Sequence, residues 1–222
     1  MDIEANLREV RSRIARACER SHRSPEEIIL VAVTKGFDAQ AIRDAFNCGL
    51  RDFGENRVQE AVGKIDQLSD LRASITWHLV GHLQSNKAKI AVQHVDIIHS
   101  VDSVRLASIL NERAQKCLPV LLQVNVSGEE PKSGFAVEDV ASAAQEIGLF
   151  PNLKIKGLMT IAPLVDVPEE VRPVFRKLRE LRDSLGLEHL SMGMTDDFEV
   201  AIEEGATILR IGRAIFGYRR YL

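Results

Sequence analysis

The sequence predicts an α/β protein: a (β/α)8 barrel of the TIM type, with one extra helix at its N-terminus. Three observations carry that expectation. Short apolar runs alternate with amphipathic stretches along the whole chain, and strands separated by helices pair in parallel. The apolar runs are hydrophobic on both faces, as a sheet covered on both sides requires. Spreading 222 residues over eight units gives roughly 28 residues per βα unit, compact but adequate for such a barrel. The rival is an open doubly wound sheet. No G-x-G-x-x-G follows the first apolar run, which weakens its dinucleotide-binding version. A single domain over residues 1–222 is expected.

The elements follow in order. Ile3, Leu7, Val10, Ile14 and Ala17 recur at steps of three and four, the period of a helix. Ile28–Val33 reads as a buried strand. A helix over Ala39–Asn47 follows, with Asp38 as its N-cap and Gly49 just past its end. Arg51–Phe53 is a short strand, and Asn56–Leu68 is helical, with Val58, Val62 and Ile65 on one face. Ile75–Val80 (strand) and Asn86–Val92 (short helix) come next. Val95–Ser100 is a strand, after which Asp102 is expected to cap a helix over Ser103–Ala114. Pro119–Val126 is the longest strand, followed by a helix over Val137–Ile147. Lys154–Thr160 is a strand, and Glu169–Leu185 is a helix ended by Gly186. Leu187–Met192 and Thr207–Ile211 are strands flanking a helix over Asp197–Glu204. Arg213 opens a last helical turn.

Composition narrows the function classes. Hydrophobic residues are 45% and charged residues 27%, the balance of a folded globular chain rather than a disordered tail or fibrous repeat. Lys and Arg number 29 against 32 Asp and Glu, a net charge of -3, so there is no global electrostatic case for nucleic acid or a membrane surface. The cysteines, Cys18, Cys48 and Cys117, are sparse and lack C-x-x-C spacing. They form no disulfide framework and fit a reducing compartment. The N-terminal stretch is too charged for a secretory signal, and Asp2, Glu4, Glu9 and Glu19 argue against a transit peptide. No apolar run approaches the ~18 residues of a membrane span. Cytoplasm is the expected location.

A barrel carries its active site at the C-terminal ends of its strands. The polar residues collect there. Thr34 and Lys35 follow the first strand, and Gly54, Glu55 and Asn56 close the second. His78, Gly81, His82 and Gln84 lie at and beyond the third. Asn125 and Ser127 lie at the fifth, Met159 and Thr160 at the sixth, and Ser191–Asp197 at the seventh. Arg210 and Gly212 lie at the eighth. Lys35 ends an apolar strand, where desolvation and nearby cations make an amine nucleophilic and suited to condensing with an aldehyde. The bland alternative is a lysine that snorkels to water. The loop after the seventh strand and Gly212 offer hydroxyls and backbone N–H groups where barrels often bind phosphate; turn glycines are the competing account. Arg210 shares a strand face with Ile208, and Leu209 with Ile211. An arginine facing a barrel interior needs an acceptor, which is a carboxylate or a ligand atom. His78 and His82 have a metal-ligand spacing, but Gly81 intervenes and no third ligand is obvious. Lys87, Lys89, Arg51 and Arg57 read as solvated surface rather than a nucleic-acid rim.

These residues also lie in longer motifs. Val31-Ala32-Val33-Thr34-Lys35, Phe53-Gly54-Glu55-Asn56-Arg57-Val58-Gln59-Glu60 and Trp77-His78-Leu79-Val80-Gly81-His82-Leu83-Gln84-Ser85-Asn86-Lys87 are three of them. Lys132-Ser133-Gly134-Phe135, Gly157-Leu158-Met159-Thr160, Ser191–Phe198, Arg210-Ile211-Gly212 and Ile215-Phe216-Gly217 complete the set. Through them the chain resembles, over nearly its whole length, the pyridoxal-phosphate homeostasis protein family. These are small pyridoxal 5′-phosphate (PLP) proteins similar to the N-terminal barrel domain of alanine racemases (PLP fold type III).

The resemblance implies that Lys35 holds PLP as a Schiff base. It implies that Ser191, Thr195 and Gly212 lie in the phosphate region, that Asn56 lies at the cofactor face, and that Arg210 faces the pyridine nitrogen. Family members often carry Ser where Thr195 stands; both supply a hydroxyl. The expected cofactor-binding set is Lys35, Asn56, His78, Met159, Ser191, Thr195, Arg210 and Gly212, with no catalytic residue and no metal. A charged guanidinium beside the ring nitrogen disfavours its protonation and weakens the ring as an electron sink. Racemases draw a second base from a further domain, and this chain ends at Leu222, shortly after Arg210. The expectation is a monomeric PLP carrier that maintains the cofactor supply, with apo-forms of PLP-dependent enzymes as candidate recipients. A minimal amino-acid racemase and a barrel enzyme condensing Lys35 with a sugar phosphate are the alternatives. Lys132 is left as a regulatory residue or a turn cap.

Overall fold

The computed structural model describes residues 2–129 and 133–218. Lys132 lies outside the described residues. The strands form one closed parallel barrel in sequence order: β1 (Ile29–Val33), β2 (Asp52–Glu55), β3 (Thr76–Leu79), β4 (Ile97–Val101), β5 (Leu118–Gln123), β6 (Leu153–Met159), β7 (His189–Ser191) and β8 (Ile208–Ile211). Closure is made by β1 on β8, where Ala32 pairs with Ile211.

Helix α1 (Ile3–Arg20) precedes β1. Helices α2 (Ala39–Asn47), α3 (Val58–Gln67), α4 (Ala88–His94), α5 (Val104–Arg113), α6 (Val140–Ile147), α7 (Arg172–Ser184), α8 (Phe198–Glu203) and α9 (Arg213–Phe216) each follow a strand. The expected architecture is the observed one. No helix among the described residues is long and apolar enough to cross a membrane.

Local chemistry sets the element ends. Asp38 caps α2 by accepting from the Ala41 N–H at 2.9 Å, and Gly49 follows with φ +90°, a conformation that favours glycine. The cap of α5 is a correction. Ser103, not Asp102, accepts from Leu106 N–H, at 3.2 Å. The carboxylate of Asp102 instead meets His82 Nδ1 at 3.0 Å. Three expected helices begin as tighter 3-10 turns, at Ser85–Lys87 before α4, at Val137–Asp139 before α6 and at Pro168–Val171 before α7. Strand β5 stops at Gln123, and Val124 forms an isolated bridge to Phe135.

Alternation along the strands divides the apolar residues into two cores. Residues such as Ala32, Phe53, Trp77, Leu209 and Ile211 pack in the larger one, between sheet and helices. Val31, Leu121, Met159 and Ile208 form a second, small cluster. Ile208 thus parts from Leu209 and Ile211, as the period of the strand requires. Gly54 makes room in the same region: a Cβ there would stand 2.9 Å from Val31 Cγ1 and 3.4 Å from Val80 Cγ1.

Candidate cofactor site

A cavity of about 440 Å³ is lined by residues at or just past the C-terminal ends of β1, β2, β3, β6, β7 and β8. Lys35, Asn56, Thr195, Arg210 and Gly212 all line it, so five of the eight expected site residues meet there.

Lys35 sits in the turn after β1, and the residues on either side of it are fixed. Thr34 N–H donates to the Gly54 carbonyl at 2.9 Å, and Thr34 Oγ1 donates to Glu55 Oε1 at 2.5 Å. Lys64 reaches in from α3. Its Nζ donates to the Thr34 carbonyl at 2.7 Å, to Glu55 at 2.6 Å and to Glu60 at 2.7 Å. Glu60 in turn accepts the Gly36 N–H at 2.5 Å. Glu55 is fully buried and its Oε2 has no partner among the described residues. Burial pushes its pKa up, against the pull of Lys64 and the Thr34 hydroxyl. Sequence reading noted Glu55 only as a strand-end residue and missed Lys64. The usable signal was a lysine on a helical face with Ala61 and Ile65.

Asn56 passes close beneath Gly81, where a Cβ would stand 2.3 Å from the Asn56 carbonyl oxygen; glycine is required. The loop after β7 turns at Gly193, with φ +93° and no space for a side chain. Asp197 holds that loop by accepting the Met194 N–H at 2.6 Å, and burial raises its carboxyl pKa. Thr195 Oγ1 accepts from Ala214 N–H at 3.4 Å, which ties this loop to the first turn of α9. Asp196 pairs with Arg213 across the same gap. Gly212 opens α9, and a Cβ there would stand 3.0 Å from the Val33 carbonyl oxygen.

Arg210 is 5% exposed. Its acceptors correct the carboxylate reading: Nη1 donates to Ser191 Oγ at 2.6 Å and Nη2 to the Thr160 carbonyl at 2.8 Å. Burial lowers its pKa to about 10, opposed by Asp197, so the guanidinium stays charged near neutral pH. An arginine carries five N–H donors, and those not used by Ser191 and Thr160 remain for the cavity it lines.

His78, Met159 and Ser191 are not on the cavity lining. Met159 packs in the small cluster with Val31. Ser191 lies beneath Arg210. His78 is buried against Asp52 and His99, whereas His82 turns to Asp102, so the two histidines do not converge. Among the described residues no group of His, Cys, Asp or Glu could hold a metal ion. His99 was missed, although a histidine inside the apolar run Ile97–Val101 was the signal available. Arg51 of the basic set stacks over Phe46, 4.0 Å from the ring centroid.

Residues 3–220 match the family model described as alanine racemase, N-terminal domain. The pyridoxal phosphate homeostasis protein of Aquifex aeolicus is 48% identical over 230 residues, covering 100% of both chains. That of Pseudomonas aeruginosa is 46% identical, covering 99% of this chain and 96% of its own. PipY of Synechococcus elongatus, solved with PLP bound, superposes with a TM-score of 0.85 at 38% identity, covering 97% of this chain and 100% of that one. Alanine racemase from Corynebacterium glutamicum shares the fold, with a TM-score of 0.71 at 17% identity over 61% of its length. The chain thus belongs to the alanine racemase N-terminal domain family, in the group of the pyridoxal phosphate homeostasis proteins.

Proposed function

We propose that the chain binds PLP with Lys35 as its covalent anchor and acts as a carrier that maintains the PLP supply, rather than as a robust catalyst. The observation that carries this is the pairing, on one cavity, of Lys35 with a buried charged arginine. The residues fit the group. When bound, PLP supplies an aldehyde that condenses with an amine, an electron-withdrawing ring and a phosphate. Lys35 offers the amine. The Thr195 hydroxyl and the backbone N–H groups after Gly212 suit the phosphate. Arg210, which lines the cavity with N–H donors to spare, would meet the ring nitrogen and, being charged, would disfavour a proton there. Asn56, also on the lining, would lie at the cofactor face. Ser191 backs Arg210 through a hydrogen bond, His78 does so by way of His99 and Ser191, and Met159 packs with Val31.

The relatives' names and the PLP bound in PipY support the same reading. We place the protein in the cytoplasm as a monomer that releases PLP to apo-enzymes. Ile161, Met194 and Tyr218, exposed to 41%, 37% and 81%, give the mouth an apolar rim on which a recipient can dock.

The test is absorbance, then intact mass before and after borohydride reduction, with Lys35→Ala alongside. A yellow protein that gains a pyridoxyl-phosphate mass on the Lys35 peptide, and a variant that does not, is the expected result. A colourless protein that takes up no added PLP overturns the reading. Enzyme-like α-proton exchange of amino acids in deuterated water overturns the carrier role and favours a minimal racemase.

A further inference from the structure

A continuous polar seam crosses the barrel beneath the cavity. His78 Nε2 lies 3.0 Å from Asp52 Oδ1, and His78 Nδ1 lies 2.9 Å from His99 Nε2. His99 Nδ1 lies 2.8 Å from Ser191 Oγ, which accepts from Arg210 Nη1 at 2.6 Å. The five residues come from β2, β3, β4, β7 and β8. His78, His99, Ser191 and Arg210 are all buried; Asp52, the first residue of β2, keeps its side chain 30% exposed. A barrel interior is ordinarily filled by branched apolar residues, so a buried seam of this length needs a use.

Donor and acceptor chemistry fixes its direction. Arginine can only donate and a carboxylate only accept. One arrangement gives every link a single proton. Arg210 donates to Ser191, Ser191 O–H to His99 Nδ1, His99 Nε2–H to His78 Nδ1, and His78 Nε2–H to Asp52. Both rings are neutral in it. The reverse arrangement aims two donors at Ser191 and leaves the serine hydrogen without an acceptor in the seam. It also demands a charged His78. Full burial, with His78 and Arg210 beside it, holds His99 well below the ordinary histidine pKa, in keeping with the neutral arrangement.

We infer that Asp52, acting through His78, His99 and Ser191, is a positioning residue for the Arg210 guanidinium that lines the cavity. Neither hydrogen bond of the guanidinium goes to a carboxylate. Its charge partner is Asp197, which acts through space and whose Oδ1 accepts from the Met194 N–H. The seam ends on an acceptor at Asp52 and, through three neutral groups, keeps the lone pair of Ser191, not its hydrogen, turned to the guanidinium. What Arg210 faces rests on the PLP reading; the seam itself does not.

The test is a long-range proton–nitrogen spectrum of the histidine rings in the full chain, with and without added PLP. His78 and His99 are expected as neutral Nε2–H tautomers. Asp52→Ala should cost both rings their single tautomer, including His99, which Asp52 does not touch. Asp52→Asn, whose amide oxygen still accepts, should restore them. In the PLP-loaded protein the chromophore band should shift with Asp52→Ala and return with Asp52→Asn. An Nδ1–H tautomer at either ring of the unaltered protein, or His99 signals unmoved in Asp52→Ala, overturns the inference. Correct tautomers in a chain that never takes up PLP would instead overturn the function and leave the seam standing.

Discussion

Lys64 Nζ donates to the carbonyl oxygen of Thr34 at 2.7 Å, so an α3 side chain grips the backbone one residue before Lys35. The same ammonium faces the fully buried Glu55 at 2.6 Å. Lys64→Met leaves that carboxyl without its counter-charge. Breaking one partner of such a pair costs about 3–5 kcal/mol. Urea unfolding at neutral pH should read that loss, and Lys64→Met combined with Glu55→Gln should recover much of it. The pH dependence has a definite sign. Burial raises the Glu55 pKa in the folded state, so the folded chain binds the extra proton and stability falls as pH rises above the ordinary carboxylate value. Lys64→Met removes the attraction opposing that rise and should extend the fall to higher pH.

Gly54→Ala places a methyl 2.9 Å from Val31 Cγ1, in the packed barrel interior. Overpacking of this kind costs about 1–3 kcal/mol. Thermal melts should show the loss, and Val31→Ala in the same chain should relieve part of it. An unchanged melt for the single variant would mean that the interior has slack.

Glu204 is buried and receives Arg172, Arg176 and Arg179. Burial opposes its ionisation, but the hydrogen bonds from Arg176 and Arg172 outweigh it and hold its pKa below the usual carboxylate value. The stability it confers is present above the unfolded pKa and lost as pH falls through the folded one. Glu204→Gln should cost about 1.5–3 kcal/mol at neutral pH, the worth of a charged hydrogen bond. The two proteins should converge in stability at acid pH. Parallel acid-unfolding curves would refute the assignment.

Thr195→Val keeps the shape of the loop after β7 and removes its hydroxyl. On the proposed function, PLP affinity by calorimetric titration should fall about tenfold or more, from one lost hydrogen bond to a phosphate. The melting temperature of the PLP-free protein should fall only slightly, by the loss of the long hydrogen bond from Ala214 N–H.

The barrel was legible because period and length are local properties. Residues 31–33 and 208–211 each announce a strand, and the split of Ile208 and Arg210 from Leu209 and Ile211 is the pleat itself. The cavity was legible to the extent that strand ends can be read: Lys35, Asn56, Thr195, Arg210 and Gly212 each terminate or follow an apolar run. What escaped depends on which strands face each other across the barrel. His99 meets Ser191 from 92 residues away, and no spacing encodes that. The acceptors of Arg210 escaped for a similar reason: one is a backbone carbonyl, which any residue could have supplied. At the cap of α5, Asp102 and Ser103 are both good capping residues, and the demand of His82 for a carboxylate decided between them.

Helix α1 buries Ile3, Leu7, Val10 and Ile14, and it packs on α8 and α9. Asn6 Nδ2 donates to the Ile215 carbonyl, 209 residues away in sequence, and Arg13 pairs with Glu199. On the ribosome, α1 emerges long before the elements it packs against. At about 5–20 residues per second the wait is roughly 10–40 s. Throughout that interval the apolar stripe of α1 stands in water, and the edge of β1 lies open for want of β8. The nascent chain therefore passes through a long adhesive stage that the finished barrel conceals.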